Sequence, residues 1–147
     1  DPSNMKQVIV LRQFYPDGPD GPETRKIRAG KLIAQACHGS VNASKNAEEF
    51  NKSYYKDWIS GGTTKICVGV DTEGDLLKLY NSVIDLDLPY ALVKDSGFTE
   101  FGGVATFTCL VIGPGPDEEI DKLTGKLKLP PTICMPDNLG CCGGFGI

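Results

Sequence analysis

Short apolar runs alternate along this chain with segments of helical spacing. Val8, Ile9, Val10 and Leu11 form an unbroken β-branched and apolar run, the pattern of a strand covered on both faces, as in a parallel sheet. Residues 15–22 read Tyr-Pro-Asp-Gly-Pro-Asp-Gly-Pro. Repeated Asp-Gly and Gly-Pro steps continue neither a strand nor a helix, so a surface loop is predicted there. Residues 29–44 have helical spacing. Ile33, Ala36, Cys37 and Val41 lie on the expected apolar side, and small Ala34, Ala36 and Gly39 would permit close approach to a sheet. A weaker helix is predicted over 48–59, stopping before Gly61 and Gly62. Residues 65–70 read as a second strand, and Thr72 with Asp75 resembles an N-cap. Leu76, Leu79, Tyr80 and Val83 then recur at helical spacing until Pro89 stops the element. Residues 90–93 form a short third strand leading directly into Lys94, Asp95, Ser96 and Gly97. Residues 104–112 form a fourth, with Thr106 and Thr108 alternating against Phe107 and Cys109 until Gly113, Pro114, Gly115 and Pro116 end it. A short acidic helix is predicted over 117–123, followed by a turn at Thr124 and Gly125.

The order β-α-α-β-α-β-β-α implies helices packed on a mostly parallel sheet. Right-handed crossovers would put those helices on both faces, and ligands of such sheets bind beyond the carboxyl ends of the strands. The 147 residues fit one domain. Residues 1–4, ahead of Met5, are set aside from the fold, and no secretory leader is expected. Residues 137–147, rich in glycine and holding two cysteines, read as a flexible tail.

Composition narrows the class further. With 40% hydrophobic and 23% charged residues, the chain reads as a soluble globular protein. No apolar run approaches the roughly 18 residues of a membrane helix. A net charge of −4 excludes a globally basic nucleic-acid coat, though not a local basic patch. Cys37, Cys67 and Cys109 fall within apolar patterns and are expected to be small buried hydrophobes, while Cys134, Cys141 and Cys142 lie in the Gly/Pro-rich end. With Cys141 and Cys142 adjacent and His38 the single histidine, no zinc set is expected. The thiols suit a reducing, cytoplasmic compartment.

Two places carry candidate chemistry. Lys31, Gln35 and His38 are spaced four and three apart, so a helix points them to one side. Spacing alone favours a solvated outer face there over a functional one. Arg25, Lys26, Arg28 and Lys31 form the densest basic stretch of an acidic chain. Asp95 sits just past a strand and before a glycine, where a carboxylate can orient or deprotonate water, and Thr99 follows four residues on. An ordinary Asp-Ser-Gly turn is the alternative. The chain has no G-x-S-x-G elbow, no phosphate-binding Gly-rich loop ending in Lys-Ser/Thr, and no dinucleotide-binding glycine spacing. A hydrolase built here would need neither a metal nor a covalent intermediate, and no cofactor is expected.

Five motifs in order carry a resemblance. They are Met5-Lys-Gln-Val-Ile-Val10, Gly30-Lys-Leu-Ile-Ala-Gln-Ala-Cys-His38, Lys94-Asp-Ser-Gly-Phe-Thr-Glu-Phe101, Ile112-Gly-Pro-Gly-Pro116 and Asp121-Lys-Leu-Thr-Gly-Lys-Leu-Lys-Leu129. Together they resemble the type 2 peptidyl-tRNA hydrolase family, with residues 99–109 closer to its bacterial members. The resemblance implies a three-layer α/β/α sandwich with a four-stranded mixed, mostly parallel sheet over residues 5–129, followed by a Pro/Gly/Cys-rich extension over 130–147. It implies a homodimer that uses no cofactor and hydrolyses the ester joining a peptide, or an N-blocked amino acid, to tRNA. The family's catalytic lysine, aspartate and threonine fall on Lys31, Asp95 and Thr99. Gln35, His38 and Thr108 fall on further substrate-binding positions, and Lys26 and Arg28 beside Arg25 are expected to meet phosphate. The insertion between Phe14 and Glu23 is longer than the family's usual connection, and the extension past Leu129 has no counterpart. A catalytically idle tRNA- or protein-binding module of the same fold is the alternative reading, and an enzyme acting on aminoacyl-tRNA is a third.

Overall fold

The computed structural model describes residues 4–97 and 101–128. Strand β1 (Met5–Arg12) is followed by two short strands, β2 (Tyr15–Pro16) and β3 (Glu23–Arg25), then helices α1 (Ala29–Phe50) and α2 (Lys52–Ser60). Strand β4 (Lys65–Val70), helix α3 (Glu73–Val83), strands β5 (Tyr90–Asp95) and β6 (Thr106–Pro116), and helix α4 (Asp117–Thr124) complete the order.

The four long strands form one mixed sheet in the order β4-β1-β6-β5. Only β1 and β4 are parallel, in register from Gln7↔Lys65 to Arg12↔Val70. Strand β6 runs antiparallel to both β1 and β5, which overturns the expectation of a mostly parallel sheet. The reason is the short β5–β6 connection. A parallel pair needs a crossover of a dozen or more residues, usually helical, and only the ten residues 96–105 join β5 to β6. Strand β6 therefore returns between β1 and β5, leaving β1, β4 and β5 with their carboxyl ends at one edge.

Alternation along the strands feeds two cores. Val8, Val10, Val68, Val70, Leu110 and Ile112 pack with Leu76 and Val83 of α3 and Ile120 of α4. Ile9, Leu11, Val93, Cys109 and Val111 pack on the other face with Leu32 and Ala43 of α1. Helices thus cover both faces. The run at Val8 to Leu11 is buried throughout, as its pattern predicts. Thr72 caps α3, its hydroxyl accepting from the Asp75 N–H at 3.1 Å.

Helix α1 is longer than its pattern predicts and is rotated from the expected face. Ile33 is 54% exposed and Val41 53%, and Cys37 is exposed too. The buried side is Leu32, Gly39, Ser40, Ala43 and Ala47. Close approach to the sheet selects small residues here. A Cβ on Gly39 would lie 2.6 Å from Val111 Cγ2 and 3.0 Å from Val93 Cγ2. Ser40 belongs to this contact because its hydroxyl donates to buried Gln7 Oε1 at 2.5 Å, and Gln7 Nε2 donates to the Gly113 carbonyl at 3.3 Å. Cys67 is also exposed, because no helix covers that part of β4, whereas Cys109 is buried as expected. Cys134, Cys141 and Cys142 lie outside the described residues.

The predicted loop after β1 is closed at its base. Tyr15 pairs with Arg25 and Pro16 with Glu23 in a two-stranded ladder. Arg12, 1% exposed, anchors it. Its guanidinium donates to the Phe14 carbonyl (2.8 Å) and the Phe107 carbonyl (3.1 Å), meets Glu73 at 3.3 Å and Glu23 at 3.5 Å, and lies 4.4 Å from the Tyr15 ring centroid. Strand β6 also continues through Gly113 to Pro116, where the sequence predicts a break. The expected tail over 137–147 lies outside the described residues.

Candidate active site

Strand β5 delivers Asp95 to the carboxyl edge of the sheet, opposite Thr106 of β6. The carboxylate is buried, and its Oδ1 accepts from the Gly97 N–H at 2.8 Å. This is an Asx turn, in which the side chain bonds its own backbone two positions on. Gly97 has φ +91°, and a Cβ there would come within 2.3 Å of the Val104 carbonyl oxygen. The turn is therefore real, and it also aims the second carboxylate oxygen. Oδ2 meets the Lys31 ammonium at 2.5 Å, from the first turn of α1. Burial alone would raise the Asp95 carboxyl, but the Gly97 N–H and the adjacent Lys31 ammonium outweigh it and hold the pKa below the ordinary carboxylate value. Asp95 is thus an anion ready to accept a proton or orient water, with a cation beside it.

One turn along α1, Gln35 ties the helix to β6. The Thr108 hydroxyl donates to Gln35 Oε1 at 2.9 Å, and the Cys109 thiol approaches the Gln35 carbonyl at 3.4 Å. Lys31, Gln35, Asp95 and Thr108 therefore meet where the start of α1 crosses the end of β5 and the start of β6. The half-buried Lys31 and Gln35 face inward, not the solvated face that spacing alone favours. His38 is exposed, and no hydrogen bond or ion pair among the described residues joins it to this group. Thr99 lies outside the described residues.

The basic stretch divides its work. Lys26 donates to Gln13 Oε1 at 3.2 Å and lies 4.8 Å from the Phe14 ring centroid. Arg25 Nε donates to the Pro16 carbonyl at 3.3 Å. Arg28 is exposed at the N-cap of α1. The first turn of α1 holds no acidic residue, so its N–H groups and dipole present positive charge at the same place.

Sequence reasoning missed Tyr15. Its ring is fully buried, tilted against Phe101 at 5.1 Å between centroids, and burial pushes its hydroxyl well above the ordinary tyrosine range. The Asp95 charge contributes in the same direction. The available signal was a large aromatic opening a Pro/Gly-rich insertion directly after a buried strand.

Comparison with known proteins places the chain in a family. Residues 5–130 match the family model described as peptidyl-tRNA hydrolase PTH2. The chain is 39% identical over 124 residues to a peptidyl-tRNA hydrolase of Thermococcus sibiricus, covering 84% of this chain and 96% of that one. It is 39% identical over 125 residues to that of Methanothermobacter thermautotrophicus (85% and 99%), and 34% identical over 125 residues to that of Methanocaldococcus jannaschii (85% and 99%). These relatives are archaeal, and nothing in them supports the bacterial leaning read from residues 99–109. Placed by its matched length and by these relatives, the chain belongs to the PTH2 family of peptidyl-tRNA hydrolases.

Proposed function

We propose that this protein hydrolyses the ester bond of peptidyl-tRNA, or of N-blocked aminoacyl-tRNA, by direct attack of water. The observation that carries the reading is the contact of buried Asp95 with half-buried Lys31 at 2.5 Å, at the carboxyl edge of the sheet. Asp95 takes a proton from water as the water oxygen bonds to the ester carbonyl carbon. Lys31 stands where negative charge develops on the carbonyl oxygen and stabilises it, or holds the terminal phosphate. The ester C–O bond then breaks, and the proton passes to the departing ribose oxygen, freeing tRNA and peptide. Thr99 holds the water or the substrate through its hydroxyl. Gln35 and Thr108 fix the start of α1 against β6, and His38, Arg28 and Lys26 border the path of the tRNA. The domain spans residues 5–129, with 130–147 as an extension, and it works in the cytoplasm without a cofactor.

We further infer a homodimer. Its support is an uncovered apolar face where Ile33, Cys37 and Val41 of α1 flank a groove of about 420 Å³ beside Cys67 of edge strand β4. The nearby Lys65 turns its ammonium to the Thr63 carbonyl (2.9 Å) and the Trp58 ring (4.9 Å).

The experiment measures release of deacylated tRNA from N-acetyl-aminoacyl-tRNA by wild type and Asp95→Ala. The wild type turns over, and the variant loses about 10²–10⁴-fold in kcat while still binding tRNA. Salt-sensitive tRNA binding with no turnover in the wild type would leave an idle binding module. Full activity in the variant would remove Asp95 from the mechanism.

A further inference from the structure

A cleft lies apart from Asp95. It measures about 740 Å³ and lies where the parallel strands β1 and β4 end, against α3 and the segment after α4. Three cations border it: Lys78 of α3, and Lys126 and Lys128 beyond α4. None forms an ion pair among the described residues. Their placement is built. The Gly69 N–H donates to the Lys128 carbonyl at 3.1 Å, pinning this segment to the edge of β4. Leu127 packs into the α3-side core, leaving its two lysine neighbours at the cleft.

A second observation points to a ligand. Gln13, at the end of β1, borders the cleft and is more than nine-tenths buried. Its Oε1 accepts from Lys26, which can only donate. The amide orientation is therefore set, and Nε2 faces the Gly69 side with no acceptor among the described residues. A Cβ on Gly69 would lie 2.3 Å from that nitrogen, so the glycine is what leaves room for the amide. Two carboxylates, Asp71 and Asp75, share the wall, and Leu79 supplies an apolar floor. Cations alone would suit any anion. Cations beside carboxylates suit a group that carries an anion and also donates hydrogen bonds, as a ribose phosphate does.

We propose that this cleft holds a ribose-phosphate unit in the acceptor arm of the tRNA substrate. Lys78, Lys126 and Lys128 take the phosphodiester. Asp71 and Asp75 accept from the ribose 2′-hydroxyl, the group that separates RNA from DNA. Gln13 supplies a further donor. Strands β1, β4 and β5 end at the same edge, so the cleft shares that edge with Asp95, displaced sideways by about 10–15 Å of strand spacing and set on the opposite face. A nucleic-acid arm delivering its 3′ end to Asp95 passes this edge, over Lys26. The inference rests on the hydrolase reading for the identity of the RNA.

The test uses the full chain carrying Lys126→Ala with Lys128→Ala, both exposed, so that the fold is kept. Binding of deacylated tRNA is measured across salt, and turnover is measured on N-acetyl-aminoacyl-tRNA and on the same ester of adenosine alone. We expect tRNA affinity to fall about tenfold, the salt slope to shrink by about one to two, and KM for the tRNA ester to rise with kcat kept. Turnover of the adenosine ester, which lacks the phosphate concerned, stays at the wild-type rate. Asp71→Asn with Asp75→Asn narrows the preference for an RNA acceptor stem over its DNA copy. Unchanged tRNA affinity and salt slope in the lysine variant overturn the proposal, as does equal loss of turnover on both esters. Tight binding of AMP that the lysine variant abolishes, with tRNA binding intact, reassigns the cleft to a free nucleotide and also overturns it. A wild type inert on both esters, in which the lysine variant still loses tRNA affinity, overturns the hydrolase reading and leaves the cleft standing.

Discussion

The Asp95 carboxylate is a charge kept on purpose in a buried place. Burial opposes ionisation, and the Gly97 N–H and Lys31 ammonium reverse that. The sign follows directly. A carboxyl with a lowered native pKa keeps its charge, and the stability that charge contributes, above the ordinary value; both are lost as pH falls through the native pKa. The acid limb of kcat/KM is therefore expected below the ordinary 3.8. In Lys31→Met the burial remains and part of the compensation is gone. The limb should move to higher pH and kcat/KM should fall about 10²–10³-fold, as a pH–rate profile of both proteins would read. An unmoved limb would mean that Lys31 does not set the ionisation of Asp95. At this scale the sequence was informative where chemistry is local. The Asp-Ser-Gly turn, the strand before it and the spacing of Lys31 and Gln35 were all legible. The meeting of Lys31 with Asp95, 64 positions apart in number, was not, since no local pattern encodes which helix start crosses which strand end. Tyr15 and Arg12 were invisible for the same reason. Their partners Phe101, Glu23 and Glu73 come from other elements.

Among the elements, α1 decides whether the site exists, since it carries Lys31 and Gln35. Its depth is set at Gly39, where Val111, Val93 and the Cys109 sulfur leave no room for a Cβ. Gly39→Ala should cost about 1–3 kcal/mol through overpacking, offset in part by the roughly 1 kcal/mol that alanine gains in a helix. The expected readings are a lower denaturant midpoint and reduced hydrolysis, because the displaced helix draws Lys31 from Asp95. A raised midpoint would show that the helix stands further from the sheet. The reading of α1 failed by rotation. Hydrophobic weighting picks Ile33, Cys37 and Val41, while the contact side is made of Gly39, Ser40, Ala43 and Ala47, whose value is small volume. The strand directions failed differently. Unbroken apolar strands suggest a parallel sheet, but β1 and β6 are equally apolar because helices cover both faces, and the brief β5–β6 connection sets the antiparallel direction.

For the whole molecule, charge is arranged by edge. The acidic start of α4, Asp117, Glu118 and Glu119, follows the end of β6 beside Met5, at the opposite edge from Asp95 and Thr106. A protein of net charge −4 thereby keeps this acidic cluster away from an anionic substrate. The uncovered face of α1 belongs to the same scale. Val41→Lys places a charge in the apolar stripe and should convert a particle of twice the 15.8 kDa chain mass to a monomer by light scattering after size exclusion, with its fold kept. A wild type that is already monomeric at micromolar concentration would remove the dimer.

The sequence by itself determined the order of the main helices and the four long strands, the buried run of β1 and the cap of α3, because each of these depends on neighbours within a few positions. Tertiary structure alone decided the strand directions, the face of α1 that is buried, the closing of the inserted segment on Arg12, and the contact of Lys31 with Asp95. Those depend on connection length, side-chain volume and charge across distant elements, and such quantities take values only once the chain has packed.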